Sequence, residues 1–133
     1  MKKWYIILAV LMVILLAISC GPSTPLPEIT DDQKAQAVQA MKDEPGVIDA
    51  AIHQEGKDLS LAIMVEFDIS EIRAKLLAEK FINMVMLYDP EESPVEGGKW
   101  EEGIFDYLVT VINPNEEVMD QGAKVSFADH ITW

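Results

Sequence analysis

One cysteine and two histidines are the residues of this chain best suited to covalent, acid-base or soft-metal chemistry, and their placement limits what that chemistry could be. Cys20 is the sole thiol, so no disulfide can close within the chain and no paired-cysteine redox or zinc pattern exists. It follows an apolar run rather than standing near a base. His53 and His130 are far apart, with Asp49 near the first and Asp129 beside the second, so a shared metal site would require two distant segments to meet. Ser126, His130 and Asp106 are residue types found in hydrolytic triads, but no histidine is paired locally with a serine. No catalytic residue and no enzymatic activity are expected.

Oxygen and thioether donors are more numerous. Residues 89–103 hold Asp89, Glu91, Glu92, Glu96, Glu101 and Glu102 together with two prolines and three glycines. A hard cation accepts such oxygens, but the alternating spacing and fixed glycine of an EF-hand loop are missing, so the segment reads as a long solvated loop. Met41, Met64, Met84, Met86 and Met119 could suggest soft-metal handling. Three of them fall in or beside helical apolar stripes, where methionine ordinarily fills core space. No metal and no cofactor are expected.

Lys2 and Lys3 precede 15 consecutive apolar residues, 4–18. A membrane-spanning helix needs about 20, so the pattern reads as a cleaved export leader. Leu16-Ala17-Ile18-Ser19-Cys20 resembles the lipobox of bacterial lipoproteins, with Ala17 where leucine is usual and small Ser19 before the cysteine. The resemblance implies that the Cys20 thiol receives a diacylglyceryl group, that residues 1–19 are removed as a signal peptide, and that the new amino terminus is often acylated, commonly with palmitate. At about 0.8 kcal/mol per buried methylene, two or more acyl chains hold a domain on a bilayer almost permanently. Gly21 stands where an inner-membrane retention aspartate would be. The expected address is therefore extracytoplasmic, on the outer membrane or the outer face of the cell membrane, with the membrane itself as the first partner.

After Cys20, the prolines at 22, 25 and 27 make residues 20–29 an extended spacer, and residues 30–133 form one domain large enough for its own core. The whole chain carries a net charge of −13, and loss of Lys2 and Lys3 makes the mature form more acidic still. Such a field repels nucleic acid and anionic headgroups, so no nucleic-acid partner is expected.

The domain reads as αββαββ. Thr30-Asp31-Asp32-Gln33 has the form of a capping box, and Ala35, Val38 and Met41 follow on one side of a helix ended by Pro45-Gly46. Residues 47–54 and 59–67 form a hairpin, the second strand alternating Leu59, Leu61, Ile63, Val65 and Phe67 with polar or smaller residues. A second helix starts at Asp68 or Ser70 and runs to about Tyr88, with Ile72, Leu76, Leu77, Phe81, Met84, Val85 and Tyr88 as its apolar stripe. Residues 104–112 and 123–133 complete a second hairpin, the last strand presenting Val125, Phe127, Ile131 and Trp133 on one side. The fold class is α+β, a four-stranded, mostly antiparallel sheet with two helices on one face. This layout is similar to that of the small modules called BON domains, which occur in exported bacterial proteins and bind membranes or partners. Their glycine pattern is missing here, so no function or residue is carried over.

By alternation the sheet face away from the helices presents Ser60, Met64, Glu66, Asp106, Leu108, Thr110, Lys124, Ser126, His130 and Thr132. Such a face can be solvated, or it can receive a partner or a second copy. Met64, Leu108 and His130 are the expected partner-binding residues, with Trp100 folding over them from the long loop as an anchor. The function expected is a membrane-anchored, non-catalytic binding or assembly module of the cell envelope, acting on an envelope protein or as a homodimer. The alternative is a small-ligand or cation-binding lipoprotein.

Overall fold

A computed structural model of the chain describes residues 28–88 and 103–133. The apolar run, Cys20, the spacer as far as Pro27 and most of the acidic loop, Trp100 included, lie outside the described residues. The elements are α1 (Asp31–Lys42), β1 (Val47–Glu55), β2 (Asp58–Val65), α2 (Glu71–Met86), β3 (Asp106–Ile112) and β4 (Val118–Lys124). They form an α+β fold with one sheet in the order β1-β2-β3-β4. No helix among the described residues is long and apolar enough to cross a membrane.

The expected capping box opens α1. The Thr30 hydroxyl accepts from the Gln33 amide at 3.2 Å, and the Thr30 amide donates to Gln33 Oε1 at 2.9 Å. Two of the otherwise unpaired amides of the first turn are thereby satisfied, and Asp31 and Asp32 complement the helix dipole. The buried side of α1 is Ala37 and Met41 with half-buried Val38, whereas Ala35 points to solvent. Gly46 follows at φ +88°, a conformation costly for other residues, and accepts the Glu66 amide at 2.9 Å. Ile69 occupies the space where a Gly46 side chain would lie.

β1 and β2 pair antiparallel around the Gly56-Lys57 turn, and β3 and β4 pair antiparallel in turn. The two hairpins meet through β2 and β3, which run parallel because α2 carries the chain back to the end of the sheet where β2 began. The sheet is therefore mixed, with two antiparallel ladders flanking a parallel one. Leu59, Leu61, Ile63 and Val65 from β2 and Tyr107, Val109 and Val111 from β3 form the buried floor beneath the helices. Ser70 caps α2 by accepting the Arg73 amide at 3.2 Å. The helix buries Ala74, Leu77, Ala78, Phe81, Ile82, Val85 and Met86.

The expected alternation of β2 stops at Val65, and Phe67 beyond the strand is 65% exposed. Two further expectations are corrected. The apolar stripe of α2 is rotated: Ile72 and Leu76 are 75% and 53% exposed, and small Ala74 and Ala78 face the sheet in their place. Alanine lets the helix approach closely, so the largest apolar side chains do not mark the buried face. The last strand is β4 at Val118–Lys124, not residues 123–133. Asn113 accounts for this early start, because its side-chain oxygen accepts the Asn115 and Glu117 amides at 2.9 and 3.1 Å and closes the turn before Val118. Beyond Lys124 the chain bends at 125–128 and returns to make a single bridge, Thr132 and Ala123 exchanging amide-carbonyl bonds at 2.8 and 2.9 Å. Ile131 and Trp133 then lie close over Gly122, where a side chain would meet them at 2.7–2.8 Å. Lys75 Nζ stands 5.7 Å from the centroid of a Trp133 ring.

Candidate binding face

The register places three rows of side chains across the outer sheet face. His53, Ser60, Leu108 and Ala123 form the first, Ala51, Ala62, Thr110 and Gln121 the second, and Asp49, Met64, Ile112 and Val118 the third. Two open grooves lie along this face. One, of about 410 Å³, is bordered by His53, Glu55, Asp58, Ser60, Leu108 and Ala123 among others. The second, about 160 Å³, lies over Ala51, Ala62, Met64 and Ile112 beside Asp49. The floor is apolar and small-featured, and Leu108 is 41% exposed at its centre.

Of the expected partner-binding residues, Met64 and Leu108 are brought to this one face. His130 lines neither groove; its Nδ1 lies 2.8 Å from Asp129 Oδ1 on the returning segment, with both side chains exposed. Trp100 is outside the described residues. The alternation over-extended the face in one further way. Lys124 pairs with Tyr107 on the helix side, fully buried, its ammonium 5.9 Å from the Tyr107 ring centroid. Ser126, His130 and Thr132 follow a bend and do not continue the rows. Ala51, Ala62 and Ala123, which build the floor, went unread because alanine marks neither a core nor a solvent position. Ile112 and the β1 members Asp49 and His53 could have been read from the alternation with Ala50 and Ile52.

Charge is distributed unevenly. Among the described residues, Lys34, Lys42, Arg73, Lys75 and Lys80 stand on the helices, Lys124 is buried, and Lys57 sits in the first hairpin turn. None of the three rows carries a cation. Acids line the β1 side: Asp49 within the rows, Glu55 and Asp58 at the turn. The Ala50 amide, donating to Asp49 Oδ1 at 2.9 Å, and then Lys42 at 3.2 Å hold the Asp49 carboxyl below its usual range. Helix cations are themselves paired, Glu44 joining both Lys80 and Arg73 and so clamping the end of α1 to α2.

Asp106 ends the first groove. It brings Ser126 close, but through the Ser126 amide, which donates to Asp106 Oδ1 at 2.6 Å, while Lys57 Nζ lies 2.9 Å from Oδ2. His130 contacts Asp129 instead, so these contacts do not arrange Ser126, His130 and Asp106 as a relay. Burial pushes the Asp106 carboxyl up, but Lys57 and the Ser126 amide outweigh it and leave the group below its ordinary value. A depressed carboxyl contributes stability that is full above its unfolded pKa and is lost as pH falls through its folded one. Asp106→Asn should therefore destabilise the neutral-pH protein by about 1–2 kcal/mol. The gap between wild-type and variant melting temperatures should narrow steadily as the buffer is taken down to about pH 3.

No group of three or more His, Cys, Asp or Glu side chains among the described residues could hold a metal ion. Comparison of the chain with protein-family models, curated proteins and solved structures returned no match. The class defined by the fold is thus an α+β domain with two helices packed on a mixed four-stranded sheet whose other face is open among the described residues.

Proposed function

We propose that this chain is a lipid-tethered, extracytoplasmic and non-catalytic binding or assembly module of the cell envelope. The basic start, short apolar run and lipobox-like Leu16–Cys20 sequence carry the reading. The open sheet face supports it by offering an apolar surface around Met64 and Leu108 for a partner. Cys20 is the lipid-bearing residue and residues 21–27 are the stalk, shorter than the expected spacer because Ile29 is buried in the domain core and its amide donates to Gln54 Oε1 at 3.1 Å; the acidic domain is kept off anionic headgroups by its own charge.

The test is intact mass and membrane partition of the full chain in a lipoprotein-processing host, beside Cys20→Ala. The expected wild-type product starts at Cys20, carries acyl mass and sediments with membranes, whereas the variant carries none. Uncleaved, unacylated wild-type protein held in the membrane would make residues 4–18 an anchor and defeat the tether. A second reading, a small-ligand or cation-binding lipoprotein, draws on the groove of about 410 Å³ with His53, Ser60 and Asp106 on its walls for a small ligand, and on the acids of residues 89–102 in the sequence for a cation. It predicts calcium-dependent stabilisation that disappears when Glu91, Glu92 and Glu96 are changed to Gln.

A further inference from the structure

The outer face has dimensions and chemistry that specify an occupant. From the His53 row to the Asp49 row is four residues along a strand, about 13 Å. That is close to the width of one helix with its side chains, about 10–12 Å. Across the four strands the distance is three strand spacings, about 14 Å, which about nine or ten helical residues cover. Ala51 and Ala62 make the middle row low where it adjoins β1, and Met64, Leu108 and Ile112 rise beside it. On its other face the same sheet is already covered by helices, the usual cover for a sheet with an apolar surface.

Electrostatics then selects among helices. The rows hold no cation, while Glu55 at the end of β1, Asp58 at the start of β2 and Asp49, which Lys42 reaches from α1 at 3.2 Å, lie along the β1 side of a chain with net charge −13. A second copy would bring the same negative field against itself, and an acidic helix would do likewise. We infer that this face seats a basic amphipathic helix of a partner polypeptide, with its apolar side chains on Ala51, Ala62, Met64, Leu108 and Ile112 and its Lys or Arg side chains toward the acidic β1 margin. The inference rests on the binding-module reading and gives its partner a chemistry. Apolar contact supplies the footing, and the margin fixes the direction in which the helix lies.

The probe is a synthetic amphipathic helix of about 18 residues built from Leu and Lys, titrated into the isotopically labelled full chain after Cys20→Ala substitution, with a Leu and Glu peptide as counterpart. The Lys peptide should shift the amides of Ala51, Ala62, Leu108 and Thr110, and the Glu peptide should not bind. Leu108→Lys, and separately Met64→Lys, should weaken binding at least tenfold while the spectrum stays dispersed. Combined Asp49→Asn, Glu55→Gln and Asp58→Asn substitution should do the same, and Ile72→Ser with Leu76→Ser on α2 should change nothing. Shifts that map to the helices, or affinity indifferent to Leu108→Lys and Met64→Lys, would overturn the inference as attraction by net charge alone. A photo-crosslinking residue at position 108 in the native host separates the two readings. A crosslinked partner with the Lys peptide ignored overturns the basic helix and keeps the binding module; a product of twice the chain's mass assigns the face to a second copy and overturns it too. Neither crosslink nor peptide binding removes both readings.

Discussion

Val109→Asp is expected to leave the domain unfolded, while Leu108→Asp, one residue away, leaves it folded. Val109 lies on β3 between Leu61 and Gly122 and is wholly buried under the helices. A carboxylate there enters an apolar interior and must either remain charged or be protonated, at a cost of several kcal/mol either way. A domain of this size has only about 5–15 kcal/mol of net stability, and the substitution also removes the packing of a central strand. Leu108 points to the other face and is already partly in water. Its replacement by Asp should alter stability by no more than about 0.5–1 kcal/mol. Far-UV circular dichroism and urea unfolding of the two variants would check this. A folded Val109→Asp protein beside an unfolded Leu108→Asp protein would mean that the faces of β3 have been assigned in reverse.

Phe81→Ala should destabilise the domain by about 3–5 kcal/mol, the range for deleting a buried ring whose space cannot close completely. Phe81 is fully buried on α2, between turns that set Ala78 and Leu77 on one side and Val85 on the other. With alanines already holding the helix close to the sheet, little further collapse is available to fill the void. Leu76→Ala on the same helix removes a side chain that is half in water and should cost under about 1 kcal/mol. The difference between the two urea midpoints reads out the orientation of α2. Equal losses would place Leu76 in the core.

The alternation of Leu59, Leu61, Ile63 and Val65 was legible because a central strand with one covered face must repeat every second residue. The αββαββ order followed from that strand, from two capped helices and from the turn residues between them. β4 was not legible, for its inward positions are Asp120, Gly122 and Lys124. Asp120 reaches Lys75 at 3.7 Å, Gly122 yields its space to Trp133, and Lys124 lies by Tyr107, so a strand covered by helix and tail has no apolar period to display. Phe127, Ile131 and Trp133 offered a better period in the wrong place. The same limit applied to α2, where Ala74 and Ala78 define the contact and Ile72 and Leu76 do not. On the outer sheet face, Met64 and Leu108 were placed correctly because their neighbours alternate strictly, while His130 was misplaced by a bend that a residue pattern cannot announce.

Both edges of the sheet are guarded against pairing with a foreign strand. On β1 the Ala50 amide is taken up by Asp49, and on β4 the Gln121 amide is taken up by Asp120 at 2.9 Å while Ala123 is bridged by Thr132. A stray strand seeking to extend the ladder would have to displace a carboxylate on either side and, on β4, the chain's own tail as well. Fibre-like stacking of neighbouring copies is thereby discouraged at both margins. An open sheet face with apolar side chains can thus stand exposed while its borders decline to polymerise.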